Sequence, residues 1–248
     1  MSRSPGRRVV LVGASNLAQG LDLALAETLR RVGPDTRVLA ACGRGRSYGL
    51  RSSFLARGLP AVLDSGLWRA LDAPPHAALL VDIGNDLAYG VEPERVLGWV
   101  RETARRLATD RLVIAGLPCA PLERRSPRTL ALWARVIFPT RSPDVVRLVA
   151  AVRELDRGLA DLARELGASR VELDPRWYGA DPIHFARSER RAAWSALLAS
   201  FGEPTHPAGT VPSSVRRSRA EERTLFGIPF GCAQPCWRAN GGAELSLY

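Results

Sequence analysis

Four polar residues in this sequence have the types and the order that nucleophilic catalysis requires: Ser15, Asn85, Asp181 and His184. A serine hydroxyl attacks a carbonyl carbon efficiently only when a base removes its proton, and a histidine oriented by a carboxylate can be that base. Asp181 precedes His184 by three residues, so one turn can hold the carboxylate against the imidazole. Asn85 can donate its amide to the oxyanion that forms on the carbonyl oxygen. The set predicts acyl transfer through Ser15.

The first and third predicted strands position two of these residues. Residues 9–12 are an uninterrupted apolar run that is typical of a strand buried on both faces, and the chain then turns through Gly13 and Ala14 to Ser15. A second apolar run, residues 77–83, leads directly to Gly84 and Asn85. Because parallel strands of an open α/β sheet present their carboxyl ends at one edge, we expect Ser15 and Asn85 to meet there.

The remaining pattern alternates strands with helices. This alternation predicts a mostly parallel five-stranded sheet with helices on both faces. A less regular stretch, residues 121–143, mixes prolines with a short apolar helix around residues 130–138 and is a candidate flap over the sheet edge. Strands are predicted at 9–12, 37–42, 77–83, 111–118 and 170–174, and helices at 17–32, about 50–71, from Pro93, at 145–166 and at about 188–201.

A glycine-rich loop, residues 43–49, follows the second predicted strand. Its glycines allow the backbone to approach a ligand closely, so an N–H of Gly43 or Gly45 is a candidate oxyanion donor. The same loop contains a Gly-x-Ser-x-Gly string centred on Ser47, which is also the pattern of the α/β-hydrolase nucleophile elbow. Only one strand and one helix precede the strand that leads to Ser47, whereas that elbow follows several strands. We therefore favour Ser15 as the nucleophile and keep Ser47 as the alternative.

Composition limits the other classes of function. All 35 basic residues are arginines and the net charge is +10, but most are scattered, so nucleic-acid binding is not expected. The four cysteines lack metal-finger spacing and are expected to be free thiols. No apolar run approaches the roughly 18 residues that span a membrane, and the first is too short for a signal peptide. These features predict a cytoplasmic protein without a metal site.

The chain divides into a main domain, a linker and an extension. Residues 1–202 carry the alternating pattern, and residues 203–218 are rich in proline, serine and arginine, as an exposed linker would be. Residues 219–248 contain two alternating runs around Asn240-Gly241-Gly242, which predicts a β-hairpin. An isolated hairpin is marginally stable in water, so it must dock on another surface, where it could close over the site or form an oligomer contact.

The order of these motifs resembles that of the SGNH hydrolases, also called the GDSL esterase/lipase family. The four matching blocks fall in the family's order and span about residues 9–201: residues 13–16, 43–49, 84–86 and 181–184. Two positions depart from the family pattern. Ala14 replaces the aspartate of the name-giving motif, and Ile83 stands two positions before the asparagine, where glycine is usual.

The resemblance implies a flavodoxin-like three-layer α/β/α fold that hydrolyses a carboxylic ester or O-acetyl group of a small molecule. It implies that Ser15, His184 and Asp181 are catalytic and that Ser15, Gly45 and Asn85 form the oxyanion hole. Gly45 is favoured over Gly43 because it stands just before the Arg46-Ser47 step. The resemblance implies no metal or organic cofactor.

Structural explanations exist for each residue taken alone. Ser15 could cap a helix N-terminus, and His184 could bond Asp181 without any catalytic role. Their joint occurrence with Asn85 favours an active site. The remaining alternative is a non-catalytic scaffold of the same kind that binds a ligand or RNA.

Overall fold

The computed structural model describes residues 6–54, 56–137, 144–207 and 210–248, without the side chains of residues 54 and 133–137. Its strands fall into two sheets. They are β1 (Arg8–Val12), β2 (Arg37–Ala41), β3 (Ser52–Phe54), β4 (Arg57–Leu59), β5 (Ala77–Leu80), β6 (Leu112–Ala115), β7 (Ser169–Val171), β8 (Glu222–Leu225), β9 (Ile228–Gly231), β10 (Trp237–Arg238) and β11 (Glu244–Leu247).

Five parallel strands form the centre of the larger sheet, in the order β2-β1-β5-β6-β7. Strand β1 lies between β2 and β5, with Val10 beside Leu39 on one side and Ala78 on the other. Helices cover both faces, so Val9 to Val12 are completely buried, as a continuous apolar run requires. The prediction of a mostly parallel α/β/α sheet is confirmed.

The larger sheet has seven strands within the described residues, so the predicted number of five was wrong. The two extra strands come from the end of the chain: β11 pairs in parallel with β2, and β10 pairs antiparallel with β11. Leu245 and Leu247 enter the core. The C-terminal hairpin therefore docks by extending the sheet at the β2 edge, a long-range pairing that local sequence pattern cannot reveal.

The helices are α1 (Ser15–Gln19), α2 (Leu21–Val32), α3 (Leu67–Ala70), α4 (Asn85–Ala88), α5 (Pro93–Leu107), α6 (Cys119–Glu123), α7 (Pro127–Ile137), α8 (Val145–Glu165) and α9 (Arg190–Leu197). Helix 17–32 was predicted as one unit, but it is interrupted at Gly20, where the Trp194 ring packs against the backbone. The last predicted helix is shorter than expected, and residues Ala199–Phe201 continue it as a 3-10 turn.

The helix predicted at about residues 50–71 was wrong. Strands β3 and β4 form a hairpin there, and α-helix is limited to α3. Gly58 and Pro60 disfavour a helix in this stretch. Strand β4 also pairs with β8, so β3-β4-β8-β9 forms a second, antiparallel sheet from distant parts of the chain.

The segment predicted as an exposed linker packs in part against α2. Ser213–Arg217 forms a 3-10 helix whose Val215 is buried in the core. Arg216 Nε lies 3.3 Å from Asp22 Oδ1 on α2. The backbone N–H of His206 also donates to the Arg30 carbonyl at 3.0 Å.

Helices α6 and α7 occupy much of the stretch proposed as a flap, and residues 138–143 of that stretch lie outside the described residues. The four cysteines are free thiols, as predicted. None of the helices in the described ranges is long and apolar enough to cross a membrane.

Candidate active site

Three of the predicted site residues are joined by hydrogen bonds. Strand β1 ends at Val12, and the turn that follows places Ser15 at the start of α1. Ser15 Oγ lies 2.9 Å from His184 Nε2, and His184 Nδ1 lies 2.6 Å from Asp181 Oδ2. When Nδ1 carries the proton bonded to Asp181, Nε2 is free to accept the proton of the Ser15 hydroxyl. This geometry is that of a base poised on a nucleophile.

The Asp181 carboxylate is suited to remain ionised. Its Oδ1 atom accepts the backbone N–H groups of Ile183 at 3.0 Å and His184 at 3.1 Å. Partial burial would by itself raise the pKa of Asp181, but the hydrogen bonds from the His184 ring and these N–H groups lower that pKa below its ordinary value. An ionised carboxylate fixes the orientation and tautomer of the imidazole.

Asn16, a residue without a role predicted from the sequence, connects the turn after β1 to the loop that carries His184. Its Nδ2 donates to Asp82 Oδ1 at 2.8 Å and to the Ile183 carbonyl at 2.9 Å. Its Oδ1 accepts the Phe185 N–H at 2.9 Å. Both the nitrogen and the oxygen of this buried amide are thus hydrogen-bonded, and two of the partners are the backbone groups directly before and after His184.

Asp82 accepts hydrogen bonds from the same turn. Its Oδ2 accepts the backbone N–H groups of Ala14 at 2.9 Å and Leu17 at 3.1 Å. Asp82 itself has a φ of 59°, an uncommon conformation for a residue with a side chain. Asp82 was predicted to lie inside a strand, but β5 ends at Leu80. The sequence does contain a signal for this role, because a carboxylate that directly follows a buried strand needs hydrogen-bond donors nearby.

Asn85 lies at the start of α4, beside the glycine-rich loop. It lines the same cleft as Ser15, and its Nδ2 is 3.4 Å from the Arg46 carbonyl oxygen. In that loop Gly45 has a φ of 68°, and its carbonyl accepts a hydrogen bond from the Tyr89 hydroxyl. A side chain at Gly43 would collide with Leu59. The loop thus packs closely next to Asn85.

Ser47 is excluded as the nucleophile. It is completely buried, and its hydroxyl donates to Asp86 Oδ1. The Ser47 hydroxyl oxygen also accepts the N–H groups of Gly49 at 3.2 Å and Leu50 at 2.8 Å. The imidazole of His184 is paired with Ser15. The alternative hypothesis, that residues 45–49 form a nucleophile elbow, is therefore wrong, and the Ser47 hydroxyl instead holds the loop together through these hydrogen bonds.

A cleft that is open to solvent begins at Ser15 and Asn85. Its far walls are apolar and come from the loop after β6, from α6 and α7, and from the first two turns of α8. Residues 219–248 contribute no lining residue in the described part of the chain. The C-terminal hairpin therefore does not close over this cleft.

Among known proteins, similarity to this chain was found in solved structures and not in sequence. No protein-family model matches the sequence. No curated protein matches it either. Among solved structures, a carbohydrate acetylesterase family member from Sinorhizobium meliloti is similar, with a TM-score of 0.52 and 16% identity over 77% of this chain and 95% of that one.

Two further structures are described as a putative arylesterase from Agrobacterium tumefaciens and an inhibitor-bound aryl esterase from M. smegmatis. Their TM-scores are 0.50 and 0.51, each at 17% identity over 78% of this chain and 97% of theirs. At these identities the likeness concerns the fold. The parallel sheet flanked by helices is a flavodoxin-like arrangement, and it is the part of the molecule in which these three structures resemble this chain.

Proposed function

We propose that this protein is a serine esterase of the SGNH type that hydrolyses a carboxylic ester or O-acetyl group of a small molecule. The observation that carries the proposal is the continuous hydrogen-bonded chain from Ser15 through His184 to Asp181, at the mouth of an open cleft. The three similar structures are named as esterases, which is consistent with this chemistry on the shared fold.

The first half of the reaction forms an acyl-enzyme. Ser15 Oγ attacks the ester carbonyl carbon while His184 Nε2 accepts the hydroxyl proton, and the carbonyl electron pair moves onto oxygen. The resulting imidazolium is stabilised by the Asp181 carboxylate, 2.6 Å from Nδ1. His184 then gives the same proton to the alkoxide as the carbon–oxygen bond breaks. The alcohol leaves, and the acyl group stays on Ser15.

The second half repeats these steps with water. His184 removes a proton from a water molecule, whose oxygen attacks the acyl carbon, and the proton then returns to Ser15 Oγ as the acyl bond breaks. The carboxylic acid leaves and the free enzyme is restored. No group other than substrate and water is consumed.

In both halves the negative charge develops on the former carbonyl oxygen. We assign its stabilisation to the N–H groups of Ser15 and Gly45 and to Asn85 Nδ2. Preorganised donors of this kind each lower the barrier by about 3–4 kcal/mol. Asn85 is supported in this role by its place in the cleft beside Ser15 and by the adjoining loop at Arg46.

Hydrolysis of p-nitrophenyl acetate tests the proposal. We expect activity in the wild type and a loss of about 10³-fold or more in kcat for Ser15→Ala, because the nucleophile is gone. Ser47→Ala is the control and keeps most of the activity at temperatures below its unfolding transition. A fully active Ser15→Ala protein would overturn the assignment.

A further inference from the structure

We propose that the cleft beside Ser15 binds the acyl half of the ester and selects an apolar acyl group longer than acetyl. This inference rests on the proposed role of Ser15 as the nucleophile. It extends that role by naming the class of substrate and the residues that choose it.

The first support is the chemistry of the cleft walls. Helix α8 presents Val145, Val149 and Val152 at a spacing of four and three residues, which is one face of a helix. Leu117 and Leu122 also line the cleft. These branched side chains offer dispersion contacts and no hydrogen bonds to a ligand.

The second support is the charge of the lining. Arginine accounts for 35 of the 248 residues, yet none of the cleft-lining residues in the described part of the chain is an arginine. The one carboxylate of the lining, Asp82, is engaged by the N–H groups of Ala14 and Leu17 and by the Asn16 amide. The far walls offer no side-chain partner to the polar atoms of a charged or sugar-like group, because Leu117, Leu122 and the valines of α8 are apolar.

The third support separates the acyl half from the alcohol half. His184 must reach the alcohol oxygen to protonate it, so the leaving group lies on the imidazole side. The cleft lining includes Ser15, Asn85 and, from the histidine loop, Pro182 and Ile183, but the His184 ring is not part of it within the described residues. We therefore assign a group that extends from the carbonyl carbon into this cleft to the acyl half, and the two ester series below distinguish it from the alcohol half.

Helix α8 and the loop after β6, which both line the cleft, are joined by a hydrogen bond in the absence of substrate. Asp156, on the same helix as Val149 and Val152, accepts the Leu117 N–H at 2.8 Å through Oδ1 and pairs with Arg170 at 2.7 Å through Oδ2. This contact fixes α8 against the loop after β6. In a preformed apolar cleft, each added methylene contributes to the binding free energy, because no free energy is needed to close the cleft first.

The experiment varies the acyl chain while keeping the leaving group constant. With p-nitrophenyl acetate, butyrate and hexanoate, we expect kcat/KM of the wild type to rise about fourfold per buried methylene. A second series keeps acetate and lengthens the alcohol, and there we expect less than a threefold change. A flat or falling acyl series, or a steeper alcohol series, would overturn the inference.

Filling the cleft provides a second measurement. Val149→Trp should lower the hexanoate-to-acetate ratio of kcat/KM at least tenfold, because the indole occupies the space of the chain. The matched control is Val146→Trp on the same helix, where Val146 is 69% exposed and outside the cleft. The control should leave the ratio unchanged, and an equal ratio in both variants would contradict the assignment.

Failure of this inference is distinguishable from failure of the proposed function. Acetate hydrolysis that depends on Ser15, without a rise along the acyl series, overturns the acyl preference and leaves the esterase intact. Absence of hydrolysis with every ester in a folded protein overturns both.

Discussion

The Asn16 amide and the Asp82 carboxylate form a 2.8 Å hydrogen bond beneath the candidate nucleophile. Through it, the turn after β1 is bound to the turn after β5, and Asn16 continues the connection to the backbone on both sides of His184. Two side chains that do not themselves react thus hold the backbone around His184 against the turn that carries Ser15, while Asp181 orients the imidazole ring.

The first prediction concerns Asn16→Ala. Removing the amide leaves the Phe185 N–H and the Ile183 carbonyl without their partner, which should cost about 1–3 kcal/mol in the free energy of unfolding. The loosened histidine loop should lower kcat about 10- to 100-fold with a smaller change in KM. Urea denaturation and ester kinetics measure the two effects. Loss of stability with an unchanged kcat would reduce Asn16 to a purely structural residue.

The second prediction concerns Asp181→Asn. The side-chain oxygen can keep the N–H groups of Ile183 and His184, which turns the NH₂ group toward His184 Nδ1. That contact favours the tautomer protonated on Nε2, which cannot accept the Ser15 proton, so kcat should fall about 10³- to 10⁴-fold. The fold should be retained by circular dichroism. Activity within tenfold of wild type would contradict the role given to the carboxylate.

The third prediction concerns Asp86, which bonds Ser47 and the Tyr48 N–H. Burial raises the pKa of Asp86 to about 6, although both hydrogen bonds lower it. The folded protein therefore holds this proton more tightly than the unfolded chain, and stability from Asp86 is fully present below pH 4 and is lost as pH rises through 6. The loss should be roughly 2–4 kcal/mol.

Urea denaturation of the wild type and of Asp86→Asn at pH 4 and pH 7 measures this effect. The other acidic groups are common to both proteins, so the difference between them isolates Asp86. We expect the wild type to lose stability relative to the variant as pH rises. Parallel pH profiles would show that Asp86 does not titrate in this range.

The fourth prediction uses a matched pair of glycines. A Cβ atom at Gly20 would lie 2.1 Å from Trp194 Nε1, so Gly20→Ala should destabilise the fold by about 1–3 kcal/mol. At Gly98, inside α5, a Cβ atom meets nothing within 4 Å, and Gly98→Ala should stabilise by about 0.5–1 kcal/mol. Thermal unfolding of both variants tests the pair. A higher melting temperature for Gly20→Ala would contradict the observed packing of α1, α2 and Trp194.

Features carried by local pattern were predictable from the sequence. The buried strand before Ser15, the parallel sheet and the three-residue spacing of Asp181 and His184 all depend on neighbouring residues, and the structure brings Ser15 and His184 within hydrogen-bond distance. The Gly-x-Ser-x-Gly string left Ser47 open as an alternative, because local pattern could not show that Ser47 bonds Asp86, a residue 39 positions away.

Features that depend on distant pairing were not predictable. Strands β3 and β4 have three residues each, too few for a periodic pattern, and β4 is stabilised in part by pairing with β8 near the other end of the chain. Strand β11 likewise pairs with β2, a strand about 200 residues earlier in the chain. The Asn16–Asp82 bond likewise joins two polar residues 66 positions apart.

The most direct test of the central claim is covalent labelling with a fluorophosphonate, followed by mass spectrometry of the digested protein. We expect one adduct on the peptide that contains Ser15, and its rate of formation should fall at least 100-fold in His184→Ala, because the base is missing. Folded wild-type protein that forms no adduct, or an adduct on another serine at the wild-type rate, would contradict the claim that Ser15 is the activated nucleophile.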